Sequence, residues 1–208
     1  MKPFSEPMNK QRAFTLVELL VVMAVIAILA ALILPALSAA KAKSKSIVCV
    51  GNLRQLAFAV SLYANEHRQR LPIANTISSK PLNPDYPRIY TVLAPYLGYQ
   101  TNNPPPEKAS VFYCPGDDGS LPPYYYYYPS EWSSYEWFAL VNGQLMTDLQ
   151  LGTNRVSPAA VLLLFDYERF HFNTNRFGLK SSSRGKNACY ADGHAGPYVD
   201  PGVGPPAQ

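Results

Sequence analysis

The stretch Ala13-Phe14-Thr15-Leu16-Val17-Glu18 leads straight into residues 19–40, 22 successive positions without a charge. At ~1.5 Å per helical residue, residues 14–40 span about 40 Å as a helix, more than the roughly 30 Å hydrocarbon core of a bilayer. Glu18 is the single acid at the head of this run. An acid at the centre of a membrane helix costs about 2.5 to 3.5 kcal/mol, and less near an end, so a carboxylate kept here reads as functional. An ordinary secretory signal has an apolar region of only about 7 to 15 residues with no acid inside it. The flanks do not orient the segment, because Lys2, Lys10 and Arg12 precede it and Lys41, Lys43 and Lys45 follow it.

These residues resemble the amino-terminal cleavage and methylation signal of type IV pilins and type II secretion pseudopilins. Thr15, Leu16, Val17 and Glu18 match that signal residue by residue, and Ala13 stands where the family usually has Gly. The resemblance implies a cytoplasmic leader over residues 1–13, cut by a prepilin peptidase between Ala13 and Phe14, with N-methylation of Phe14. It also implies a single inner-membrane pass with the remainder outside, a helix-bending role for Pro35, and assembly with other pilin-like subunits into a homo- or hetero-oligomeric filament through secretion or assembly machinery. Glu18 lies one helical turn from the amine that cleavage would expose on Phe14. In a filament it would neutralise a neighbour's amine in apolar surroundings, where an unpaired charge is heavily penalised, and so set the axial register.

About 160 residues follow Lys45, enough for one modest domain with its own core. Cys49, Leu53, Leu56, Val60 and Tyr63 recur at alternating spacings of four and three, the apolar stripe of an amphipathic helix. The pattern fades at Glu66. A transmembrane or filament-core helix over 14–40 therefore continues as a soluble half over 41–66, bent at Pro35, and residues 67–208 form the head. Most of the 20 prolines lie beyond position 72 and argue against further long helices. Residues 88–97 read as one short helix and 100–108 as an extended connection. Strands are expected over 110–113, 124–128 and 160–166, and as a pair, 187–191 and 194–199, joined by Asp192 and Gly193 as a two-residue hairpin turn. The fold class is α+β, a long N-terminal helix packed on a small antiparallel sheet, as in pilins.

A second resemblance joins both ends of the chain. Cys114-Pro115-Gly116-Asp117 and Tyr190-Ala191-Asp192-Gly193-His194 are similar to the Cys-Pro-x-Asp and Ala-Asp-Gly-His elements of a pseudopilin-like family of planctomycetes and verrucomicrobia. Residues 52–56 and Tyr63-Ala64-Asn65 fit that family's helix. Ser182 stands where the family usually carries a His, so no role of that His transfers.

Three cysteines in a region the resemblance places outside the cytoplasm suggest one disulfide and one leftover thiol. Cys49 lies on the inward stripe and Cys114 ends a strand expected over it, which favours that pair and leaves Cys189 as a buried thiol; three reduced, buried cysteines are the alternative. No metal or other cofactor is expected. No two cysteines share a ligand spacing, His67, His171 and His194 are scattered, and Asp117, Asp118, Asp192 and Asp200 show no EF-hand spacing for calcium. Residues 124–128 with Trp132, Tyr135 and Trp137 concentrate aromatic surface that suits a core, an interface, or stacking on glycans.

The net charge of +4 comes largely from the two flanks of the apolar run, and no nucleic-acid motif is present. Nucleophile-elbow, zinc-protease and phosphate-loop motifs are absent, so no catalytic residue is assigned. The sequence reads as a structural filament subunit. Two other classes remain beside it: a membrane-tethered binding protein for glycans or a protein partner that does not polymerise, and a secreted enzyme cut near Ala40.

Overall fold

The computed structural model describes residues 15–75, 83–106, 109–117, 128–129, 132–167 and 185–200. The chain forms two compact units, residues 1–41 and 42–208, and helix α1, Leu16–Glu66, runs through both. In the first unit α1 is apolar on all sides and every described residue is exposed. Its length and composition suffice to cross a membrane. Pro35 lies inside α1, where its ring removes one intrahelical donor, and the helix continues on either side. Ser38 Oγ donates to the Pro35 carbonyl at 2.8 Å.

In the second unit α1 becomes amphipathic. Cys49, Leu53, Leu56 and Val60 are buried, as their spacing requires, and Ala57, Ala59 and Ala64 widen the contact. Small side chains there let the neighbouring layer approach closely. The helix stops at Glu66, followed by Arg68 and Gln69 at φ of 56° and 62°. Each left-handed side-chain residue costs about 1 to 2 kcal/mol, offset here by a hydrogen bond from Gln69 N to the Ala64 carbonyl at 2.7 Å.

Residues 88–97 form not one helix but α2, Ile89–Leu93, tightening into a 3₁₀ turn, Ala94–Leu97. Pro95 lacks the donor that would continue the α pattern. The head's sheet is antiparallel, with strand order β1-β4-β5-β6: β1 is Tyr135–Trp137, β4 Leu162–Asp166, β5 Asn187–Tyr190 and β6 Ala195–Pro197. A separate ribbon pairs β2, Gln150–Leu151, with β3, Asn154–Arg155.

One row of partners across the sheet, Trp137, Leu164, Cys189 and Ala195, lies in the main core with Leu53, Leu56 and Val60 of α1. The opposite face carries a smaller cluster, Leu162, Ala188 and Tyr190, covered by Phe165 and Tyr198. Strict alternation would put Leu162 and Leu164 on one face. The register shifts between them, and this bulge lets Leu163 and Leu164 both join the main core while Leu162 serves the other cluster.

Three strand expectations change. Residues 110–113 form a turn, not a strand: Tyr113 N donates to the Ser110 carbonyl at 3.2 Å, and Ser110 Oγ accepts from Phe112 N at 3.1 Å. A serine side chain that bonds the backbone two residues on competes with strand pairing. Of residues 124–128 only Tyr128 is described, and it lies in no strand. The β5–β6 hairpin closes with three loop residues, not two. Tyr190 N donates to the His194 carbonyl at 3.0 Å, so Ala191, Asp192 and Gly193 form the loop, with Gly193 at φ 88°. That is the three-residue hairpin with glycine in the left-handed position.

Candidate functional site

The first described residues cap α1. Thr15 N and Thr15 Oγ1 donate to Glu18 Oε2 at 2.9 and 2.8 Å, and Glu18 N donates to Thr15 Oγ1 at 3.2 Å. This is a capping box, with a hydroxyl at the helix start and an acid three residues on satisfying each other's backbone donors. The sequence reading assigned Glu18 to an intersubunit contact and passed over Thr15-x-x-Glu18, although that spacing is itself a helix-start signal. Ala13 and Phe14 lie outside the described residues. Around the cap Leu16, Val17, Leu19, Leu20 and Met23 are all more than half exposed.

The head's polar core surrounds the disulfide. Cys49 and Cys114 are bonded, with Cα atoms 5.3 Å apart, and Cys189 is a buried free thiol. Beside the bridge Asn52 Nδ2 on α1 donates to the Tyr113 carbonyl at 2.8 Å. The loop holding Cys114 is organised by Asp117, whose Oδ2 accepts from Ser134 Oγ at 2.7 Å and Tyr128 N at 3.0 Å. On the sheet Asp166, fully buried at the end of β4, faces the same side as Leu164. Its Oδ2 accepts from Asn187 N at 2.7 Å and Asn187 Nδ2 at 3.0 Å, tying β4 to the start of β5.

Burial pushes Asp166 from 3.8 up to about 8, against the lowering effects of the Asn187 hydrogen bonds and the Lys186 charge and with a further push from Asp117. Burial also lifts the Cys189 thiol to about 12 and raises the Tyr135 phenol, the latter helped by Asp166. Because Asp166 holds its proton more tightly folded than unfolded, the folded head binds more protons between about pH 4 and pH 8, and stability from this group falls as pH rises through that window. Thermal melting across the window should show wild-type stability declining, and Asp166→Asn should flatten the decline. An unchanged slope in the variant would remove Asp166 as its cause.

The remaining acids and histidines are placed apart. Asp192 Oδ1 accepts from His194 N at 3.1 Å and meets His194 Nδ1 at 2.5 Å, and the His194 ring stacks on Tyr190 at 4.2 Å. The Asp-Gly-His element thus closes its own hairpin. His67 stacks on Tyr63 at 3.8 Å, far from this loop in sequence. Asp118 and His171 lie outside the described residues. Among the described residues Asp117, Asp192 and Asp200 form no group with metal-ligand spacing, and the cluster that does is Cys49, Cys114 and Asp166. Its two sulfurs are spent on each other. The aromatic concentration divides: Tyr135 and Trp137 are core, the latter donating Nε1 to Asn142 Oδ1 at 2.7 Å, while Trp132 is half-buried under the Arg88 guanidinium at 4.8 Å.

No curated protein and no solved structure matches the chain. The family model described as the prokaryotic N-terminal methylation motif matches residues 8–34. It covers the capping box and much of the exposed apolar helix, and stops before the head and its Asp-Gly-His hairpin. That motif is a signal of structural subunits, and with the long apolar helix it fits a membrane-anchored, single-pass protein. The N-terminal motif supports a type IV pilin-like or pseudopilin-like protein, and the long apolar helix with a small antiparallel sheet is consistent with a pilin-like α+β fold.

Proposed function

We infer that the protein is a structural subunit of a type II secretion pseudopilus or type IV pilus-like filament, cut by prepilin peptidase between Ala13 and Phe14 and methylated on Phe14. The methylation motif over residues 8–34 carries this reading. Two features support it. The first unit presents apolar side chains on every side of α1, which in water would demand a bilayer or neighbouring helices. Both cap bonds to Glu18 use Oε2, so the second carboxylate oxygen is the atom for the amine of an adjacent subunit. The disulfide suits a head held outside the cytoplasm. Pro35 is the site at which α1 bends on packing among its neighbours.

The deciding measurement is the amino-terminal sequence and mass of the protein recovered from its native membrane. A start at N-methylated Phe14 supports the reading. A start near Ala40, or an intact Met1, ends it.

A further inference from the structure

A carboxyl group fully buried beside a disulfide needs a reason. Asp166 Oδ2 fastens Asn187, but an amide oxygen would accept the same bond from Asn187 N, so holding β5 does not require an ionisable side chain. The position is more telling. A carboxylate oxygen of Asp166 and the sulfurs of Cys49 and Cys114 all lie within 4.8 Å of one another, and all three residues are buried. Among the described residues, Lys186, Asp117, Tyr135 and Cys189 are the other ionisable groups that act on this spot. Thiols in such a core stay protonated, as Cys189 shows, and a protonated thiol is no nucleophile.

We propose that Asp166 is the proton acceptor and donor for closing and opening the Cys49–Cys114 bridge, which makes the core of the head a thiol–disulfide exchange site served by an external disulfide. One of the two cysteines first attacks that disulfide and displaces one thiol, giving a mixed disulfide. As α1 docks, the second cysteine gives its proton to the Asp166 carboxylate, its thiolate attacks the mixed-disulfide sulfur, and the Cys49–Cys114 bond forms. The departing thiolate takes up the proton. Two electrons leave the cysteine pair and reduce the external disulfide to two thiols. Reduction by a dithiol runs the same steps backwards, with the Asp166 carboxylic acid protonating the leaving cysteine. Because both cysteines are buried, the first exchange takes place through local opening of the helix against the loop of Cys114. The contact within 4.8 Å shortens to direct or water-bridged transfer once the sulfurs part.

The test uses the full chain in detergent, reduced and then mixed with oxidised glutathione, with thiols trapped over time by a maleimide that shifts gel mobility. With the trapped samples unfolded before labelling, closure takes the chain from three free thiols to one, Cys189 being the remainder. The wild-type rate of the intramolecular step should level off above the pH at which Asp166 ionises. Asp166→Asn should slow that step by about a hundredfold at neutral pH and match wild type under strongly alkaline conditions, where thiols ionise unaided. An Asp166→Asn rate equal to wild type at neutral pH, or slower by one constant factor at every pH, would overturn the proposal, the latter marking a purely structural role. If Asp166→Asn does not fold, the wild-type profile decides alone: a rate that keeps rising with thiolate fraction, with no inflection from the carboxyl group, overturns it as well.

Discussion

Glu18→Gln is expected to leave the start of α1 intact and yet abolish incorporation into filaments. The amide oxygen of Gln still accepts from Thr15 N and Thr15 Oγ1, because a capping box works with Glu or Gln, while the negative charge is gone. If the charge meets a neighbour's amine in an apolar bundle, removing one partner strands the other at about 3 to 5 kcal/mol, roughly a hundredfold or more in incorporation. Thr15→Val should do the reverse, weakening the cap by about 1 kcal/mol while keeping the charge, and should cost incorporation little. The readout is the ratio of filament-borne to membrane-borne protein, with cleavage followed by mass in each variant. Normal incorporation of Glu18→Gln would assign Glu18 to the cap alone and leave hydrophobic packing as the driving force.

The second large effect concerns the head. Converting both Cys49 and Cys114 to Ala should lower its unfolding free energy by about 4 kcal/mol, the chain-entropy value for a bridge that closes 65 residues. Domain stabilities are of order 5 to 15 kcal/mol, so the loss would be a large share of the total. Urea unfolding followed by the fluorescence of buried Trp137 measures it, and a reducing agent added to wild type should reproduce most of the shift. A difference under about 1 kcal/mol between variant and wild type would mean that the bridge adds nothing beyond the packing of α1.

What was legible in the sequence follows the reach of each signal. The four-and-three spacing of Cys49, Leu53, Leu56 and Val60 located the buried face of α1 because helical periodicity is local and repeated. The fading at Glu66 located its end. The apolar run of β4 and the β5–β6 hairpin were visible because a continuous apolar stretch and an Asp-Gly turn are also local signals. Less visible were elements too short to show a period: β1 has three residues, and β2 and β3 have two each. For the ribbon a signal existed, since Gly152-Thr153 is a two-residue loop with Gly152 at φ 65°, a glycine-first turn. Residues 110–113 read as a strand because composition cannot show that Ser110 folds its hydroxyl onto the backbone.

The polar core was the hardest part to read. Asp166 closes an apolar strand, Asp117 sits in a Pro-Gly loop, and only the tertiary fold brings the first beside the cysteines and the second onto Ser134. In sequence they are unrelated acids. The one clue was Asp166 itself, an acid that directly follows four apolar residues in a strand.

The bulge in β4 also bears on how this chain tolerates changes of length. Losing Phe165 would turn Asp166 to the wrong face and carry it out of the core. The three consecutive leucines, Leu162, Leu163 and Leu164, are the exception, because losing any one of them gives the same chain. One of the two that remain faces each cluster, with Phe165 and Asp166 unmoved, so the cost is one buried leucine and not a scrambled register. The strand carries one spare residue, and a single-codon deletion anywhere in its leucine run is one that the fold survives.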